Sequence, residues 1–208
     1  MKHQTLADLT RPSGTVRTLS QHEELPLLRD HLLRLDRTSR HDRCHGFMDD
    51  SFIERYAEKC ASDGTAIVAY FEDDVVRGAA ELHPPDSHDD IPEIAFSVES
   101  KVRRQGVGTV LFRKLISVAR AKGYQRLRIT TGSSNDAMRA LANKFGAHLS
   151  FNQGESTGVI DLTRPSQLEL APALVIAPIE AARAIANFNR AYWRILFRMY
   201  GWGRDKAA

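Results

Sequence analysis

EIAFSVESKVRRQGVGTVLFRKLISVARAKG, residues 93–123, decides the fold. Its first six residues alternate as a strand does, with Glu93 and Ala95 on one face and Ile94, Phe96 and Val98 on the other. Its last part repeats apolar residues at helical spacing, at Val107, Val110, Leu111, Leu115, Val118 and Ala119, until Gly123 stops it. Between them Arg103, Gly106 and Gly108 form R-x-x-G-x-G. A helix beginning there presents unpaired N–H groups and the positive end of its dipole. Glycines without Cβ let a bulky anion approach that backbone, and Arg103 and Arg104 sit where only a bound anion makes a positive side chain favourable.

Upstream, Thr15–Leu19 reads as a strand and Glu23–Leu35 as an amphipathic helix. A charged, His-rich link follows, RTSRHDRCHG. A second helix runs over Asp50–Cys60, with Phe52, Ile53, Tyr56 and Ala57 expected inside. Thr65–Phe71 and Val75–His83 form a hairpin about Asp73-Asp74, and Ile91–Val98 is the next strand. Downstream come a strand at Arg126–Thr131, a helix capped by Ser133 or Ser134 and ending at Lys144-Phe145, and a hairpin of His148–Phe151 with Gly158–Leu162. The order β-α-α-β-β-β-α-β-α-β-β predicts an α+β domain on a mixed sheet over 14–163. Residues 1–13 read as a flexible terminus and 164–208 as a helical extension.

In the extension, Pro178 starts a helix with Arg183, Arg190, Arg194 and Arg198 near one face and Tyr192, Trp193, Ile195 and Leu196 supplying apolar surface. That pattern suits packing on the domain or on a second copy in a homodimer, contact with a membrane surface, or regulation of the active site. The chain has 208 residues and a net charge of +3, too even to argue for nucleic acid. Two cysteines, Cys44 and Cys60, are too few for a disulfide framework and suit a reducing cytoplasm. No signal peptide or transmembrane stretch is read. His41, Cys44 and His45 lack a clean fourth ligand, so no metal is expected.

The stretch from Glu93 to Leu149 resembles the coenzyme A half of the GNAT acetyltransferase superfamily. Arg103, Gly106 and Gly108 match its phosphate-binding run, Asn135 opens the next helix, and Lys144-Phe145-Gly146 closes it. Pro92-Glu93-Ile94-Ala95 and Asn135-Asp136-Ala137-Met138 resemble bacterial protein-lysine acetyltransferases of the Pat type. The resemblance implies an N-acetyltransferase with acetyl-coenzyme A (acetyl-CoA) as cosubstrate. Backbone groups of Phe96, Ser97 and Val98 would pair with the pantetheine arm, and the Val98 N–H would polarise the thioester carbonyl. The segment Arg103, Arg104, Gln105, Gly106, Val107, Gly108 and Thr109 would hold the pyrophosphate, and Asn135 would bond the pantetheine. Many relatives carry a tyrosine seven residues after that asparagine as general acid. Here that position is Ala142, so the thiolate would leave unprotonated or with help from Ser133 or Ser134.

An acceptor lysine, with a pKa of ~10.4, must lose a proton before it attacks. Glu93 is the first candidate base and Glu81 the second. Asp86, Asp89 and Asp90 would attract a cationic acceptor, and the link near His41 would shape its pocket. No cysteine or serine stands in a nucleophile motif, which favours direct attack in a ternary complex. The acceptor is expected to be a protein lysine, with a small amine as the alternative. A non-catalytic acyl-CoA sensor is the rival function.

Overall fold

The computed structural model describes residues 14–164 except 21–22, 45, 47, 86–90 and 153, with the backbone alone at Cys44. The expectations for the first 13 residues, the 86–90 loop and the C-terminal extension lie outside these residues.

The elements are β1 (Thr15–Thr18), α1 (Leu25–Leu33), α2 (Arg37–Cys44), α3 (Asp50–Ser62), β2 (Ala66–Glu72), β3 (Val75–His83), β4 (Glu93–Val98), α4 (Val107–Ala121), β5 (Arg126–Gly132), α5 (Asp136–Lys144), β6 (His148–Asn152) and β7 (Glu155–Asp161). A short 3-10 turn at Ser100–Val102 joins β4 to α4. The seven strands form one mixed sheet in the order β1-β2-β3-β4-β5-β7-β6. Only the β4–β5 pair is parallel. The β2–β3 hairpin turns on Asp73 and Asp74, both at positive φ, as a two-residue loop matched to strand twist requires.

The structure corrects the sequence reading at one added element and at the buried face of α3. The His-rich link contains α2, which lacks an apolar stripe and is therefore silent to periodicity. Polar bonds hold it instead. Ser39 donates its N–H and its hydroxyl to the Asp36 carboxylate, and Arg40 donates to the Leu33 and Leu35 carbonyls and to Asp50. In α3 the buried residues are Ile53, Ala57 and Cys60, whereas Phe52 is 40% exposed and Tyr56 half-buried.

One face of the sheet is covered by α1 and α3. Leu28, Leu32, Ile53 and Cys60 pack there on Ile67, Ala69 and Ala79. The other face carries α4. A Cβ on Gly78 of β3 would lie 3.2–3.3 Å from Leu111 and Val107, so the missing side chain lets the start of α4 sit close to the strand. Phe112 of α4 stacks between Phe96 of β4, 4.8 Å away between ring centres, and Phe145 after α5, 4.2 Å away. This aromatic column ties β4, α4 and α5 together.

On the α1 face, Glu99 just past β4 accepts from Arg34 Nε (3.0 Å), Arg77 Nη1 (3.1 Å) and His31 Nδ1 (3.4 Å). Burial pushes the Glu99 carboxyl up, but the bonds from His31 and Arg34 outweigh it and leave it at about 2, against 4.5 for a free glutamate.

Truncating Phe112 to alanine should cost about 3–5 kcal/mol in urea denaturation, because both stacked neighbours lose their partner. The depressed Glu99 carboxyl contributes stability that is complete above pH ~4.5 and is lost as pH falls towards ~2. Glu99→Gln should therefore show a shallower loss of stability across that window than the parent chain.

Candidate functional site

Strands β4 and β5 are paired only at Glu93↔Arg128 and Ile94↔Ile129. Beyond those rungs they part. Glu99 N–H donates to Arg77 O, so the Gly78↔Val98 and Ala80↔Phe96 positions are the non-hydrogen-bonded pairs of the β3–β4 ladder. The backbone groups of Phe96 and Val98 therefore point away from β3, into the gap. Those of Ser97 point to β3, opposite Ala79. Pro92, of the same parity as Phe96, shows the same direction by accepting from Arg128 N–H.

At the far end of this gap α4 begins. Gly106 caps it at φ +84°, with no side chain bonding to the helix start, and Arg104 before it is also left-handed at φ +59°. The Val110 N–H bonds to Gly106 O, which leaves the amides of Val107, Gly108 and Thr109 ahead of that bond without helical acceptors. The first turn of α4 contains no acidic residue. A cleft of about 510 Å³ runs along this backbone. Every residue expected from the sequence to hold the coenzyme lines it except Gln105, whose amide turns back to the Lys101 carbonyl.

Arg103 lies in the cleft wall, and its guanidinium bonds to Val98 O (2.9 Å) and Ser39 Oγ (2.5 Å). In this structure it ties the loop to β4 and α2. Asn135 is the cap of α5, its Oδ1 accepting from Met138 N–H at 3.0 Å, and this corrects the expectation that Ser133 or Ser134 would cap. Neither serine lines a cleft.

A second cleft of about 730 Å³ lies on the other side of the gap. It shares Asp42, Arg43, Phe96, Asn135 and Met138 with the first, so the two meet there. Its walls include Phe52 and Tyr56 of α3, His83 at the end of β3, Glu93 and Ala95 of β4, and Arg128 and Thr130 of β5. Glu93 is exposed, directly across the ladder from His83. Glu93 and Ala95 share the α1 face with Glu81, whereas Phe96 packs on α4, which agrees with the alternation read from the sequence.

Glu81 sits beneath this cleft at 0% exposure and lines neither cavity. Its Oε2 accepts from Arg43 and from the Tyr56 hydroxyl in short contacts, and Tyr56 in turn lies 3.0 Å from His83 Nε2. His83 Nδ1 lies 3.0 Å from Thr65 Oγ1, which donates to Asp63 at 2.5 Å. Burial pushes Glu81 up, but Arg43's charge, with His83 and Tyr56, holds the carboxyl at about 2. It is thus a fixed anion that orients α2 and α3 over the sheet. The sequence hinted at neither Arg43 nor Tyr56 here, since both come from helices 25 or more residues away. Cys60 is buried, and burial followed by the Glu81 charge pushes its thiol up to about 12, far from a reactive thiolate.

No helix among the described residues is long and apolar enough to cross a membrane. Residues 30–147 match the acetyltransferase (GNAT) family. Among solved structures, the chain superposes on the GNAT domain of S. lividans PAT with a TM-score of 0.61 and 17% identity, over 71% of this chain and 90% of that one. The ribosomal-protein-alanine N-acetyltransferase of Brucella melitensis gives 0.54 and 19%, over 70% and 96%. The PaiA N-acetyltransferase of Thermoplasma acidophilum, solved in complex with coenzyme A, gives 0.53 and 16%, over 72% and 99%. At these identities the likeness is one of fold, while the family match spans more than half of the sequence. With the parted strands and the bare amides at the start of α4, it places this chain in the GNAT family of acetyl-CoA-dependent acetyltransferases.

Proposed function

We propose that this chain transfers the acetyl group of acetyl-CoA to the side-chain amine of a protein lysine, by direct attack within a ternary complex. The observation that carries the reading is the meeting of two clefts at Phe96, Asn135 and Met138. One ends on the unpaired amides of α4 and the other on the exposed carboxylate of Glu93.

The first cleft takes the cosubstrate. Its pyrophosphate sits against the amides from Arg104 to Gly108, with Thr109, where the helix dipole favours negative charge. The pantetheine arm continues along the free edge of β4 as an added strand, using the backbone groups of Phe96 and Val98 that face the gap. Asn135 donates to it through the amide nitrogen that its capping role leaves over. The Val98 N–H then polarises the thioester carbonyl, the kind of fixed donor that contributes most to acyl transfer.

The second cleft takes the acceptor. Its volume suits an aliphatic amine on a larger body, and its carboxylates, Asp42, Asp63, Glu93 and Glu155, outnumber by one the cations Arg43, Lys59 and Arg128 that also line it. Glu93 removes the proton that a neutral-pH lysine carries, directly or through water. Glu81 supports this site without touching the acceptor, since it is enclosed beneath the floor. The Pro92-Glu93-Ile94-Ala95 and Asn135-Asp136-Ala137-Met138 stretches, which resemble Pat-type protein-lysine acetyltransferases, favour a protein acceptor over a small amine. The buried Cys60 leaves direct attack as the simplest route.

Two measurements check the assignment. Gly108→Val should weaken acetyl-CoA binding at least tenfold by calorimetry, because the new side chain crowds Leu141, 3.2 Å from a Cβ, and covers the amide turn. Thermal unfolding should show the fold intact. Glu93→Gln should lower kcat on a lysine peptide at pH 7 by about 10²-fold or more, with acetyl-CoA affinity unchanged. Undiminished kcat would remove Glu93 as the base. Tight acetyl-CoA binding by the parent chain with no turnover on lysine peptides or small amines would favour the sensor reading.

A further inference from the structure

His31 of α1 is fully buried and sits outside both clefts. Its Nε2 lies 3.0 Å from Ser97 Oγ and its Nδ1 lies 3.4 Å from Glu99 Oε1. Ser97 and Glu99 flank Val98 on either side. One imidazole therefore grips both neighbours of the residue whose N–H faces the gap.

A carboxylate can only accept, so Nδ1 carries a proton towards Glu99. Nε2 and the Ser97 hydroxyl, 3.0 Å apart, share the second bond, in which either group can donate. The Glu99 end is anchored further by Arg34 and Arg77, and Arg34 also donates to Val76 O on β3 at 2.7 Å. The next peptide, between Val98 and Glu99, is restrained from the cleft side, where Arg103 Nε holds Val98 O at 2.9 Å. On the side of β5, by contrast, no strand partner extends past Ile94. The Val98 amide thus projects from a strand whose free edge is kept in place by side chains behind it.

We propose that His31 is a positioning residue for the acetyl-transfer step: by bridging Ser97 and Glu99 it fixes the Val98 peptide so that its N–H meets the thioester oxygen. The inference rests on the reading of Val98 as the carbonyl donor. Ser97 itself is not a nucleophile in this account, since its side chain stands on the α1 face while the pantetheine arm runs along the strand edge. An amide held within a few tenths of an ångström stabilises a developing oxyanion. One free to swing by about 1 Å forfeits up to about 10²-fold in rate.

The test uses His31→Leu, which keeps the volume and removes both bonds, and His31→Gln, which restores a group able to reach Ser97. Hydrogen exchange of the Ser97 and Glu99 amides, which bond to β3 on either side of Val98, is measured by NMR on the ligand-free chain. It should quicken at least tenfold in His31→Leu, with the amides of β2 unchanged, and recover partly in His31→Gln. In the acetyl-CoA complex, isotope-edited infrared spectroscopy should show the thioester carbonyl band moving back towards its frequency in water in His31→Leu. kcat should fall about tenfold or more while the acetyl-CoA dissociation constant stays within threefold. Unchanged exchange at Ser97 and Glu99 would overturn the proposal whether or not the chain acetylates anything. A fall in kcat with the carbonyl band unmoved would overturn it too, leaving His31 as packing alone. If the parent chain binds no acetyl-CoA, the transferase reading fails, and the exchange result still decides whether His31 holds the Val98 peptide.

Discussion

Two rungs of parallel pairing, at Glu93↔Arg128 and Ile94↔Ile129, followed by separation, are the constraint on which the molecule turns. Each strand is secured on its other side: β4 by β3 along its whole length, and β5 by β7 from Arg126↔Asp161 to Gly132↔Glu155. The two halves of the sheet can therefore diverge without either unravelling. What the divergence leaves is a strand edge whose backbone groups have no strand partner, with Arg103 reaching only one of them, the Val98 carbonyl. Exposed backbone groups in a cleft are costly to dry unless they find a partner. A ligand carrying amides at strand spacing supplies one, and the helix that follows β4 supplies the anion seat at its end.

This core of the fold was legible because it is written in local patterns. The alternation in β4, the glycines at 106 and 108 and the stripe of α4 lie within one continuous stretch, and each acts through its own backbone or its nearest turn. Residues whose position depends on distant partners were not legible in the same way. Helix α2 has no apolar stripe and is held by polar bonds to α1 and α3, so nothing periodic announced it. Phe52 and Tyr56 fit a helical stripe, yet they turn towards the second cleft, because Ile53, Ala57 and Cys60 already fill the space over the sheet. Asn135 took the cap ahead of two serines because a turn intervenes, with Asn135 N–H on Gly132 O and Asp136 N–H on Ser134 O. Arg103 shows the limit of motif reading. Its place in the run was evident, but its bond to Ser39 depends on a 64-residue separation.

Two buried carboxylates, Glu81 and Glu99, sit behind the strands that border the clefts. Neither is an economical way to gain stability, since a well-packed apolar substitute for a buried ion pair is often as stable or more so. What they provide is direction. Glu81 gathers Arg43 from α2 and Tyr56 from α3 onto β3, and Glu99 gathers His31 and Arg34 from α1 and Arg77 from β3 onto the end of β4. Apolar packing tolerates small slides between helix and sheet, whereas charge-assisted bonds at these distances do not. The helices that wall the clefts are thereby registered to the strands that would bind the thioester.

The absence of a tyrosine at position 142 is consistent with this division of labour. Ala142 is wholly buried, and the residues of α5 that reach the clefts are Ala137, Met138 and Leu141, with Asn135 at its start. A phenol at 142 would have to displace core atoms before it could approach the sulfur. Acyl transfer from a thioester need not depend on it. A thiol ionises near 8.5 and a lysine amine near 10.4, so the thiolate is the better leaving group once the attacking nitrogen has lost its proton. The opening turn of α5 lies where the two clefts meet, and in the proposed reaction it would present the positive end of a helix to the charge developing there. In the proposed reaction the rate would be governed by removing the amine's proton and by holding the carbonyl, which would place the chemical burden on Glu93 and on the peptide of Val98.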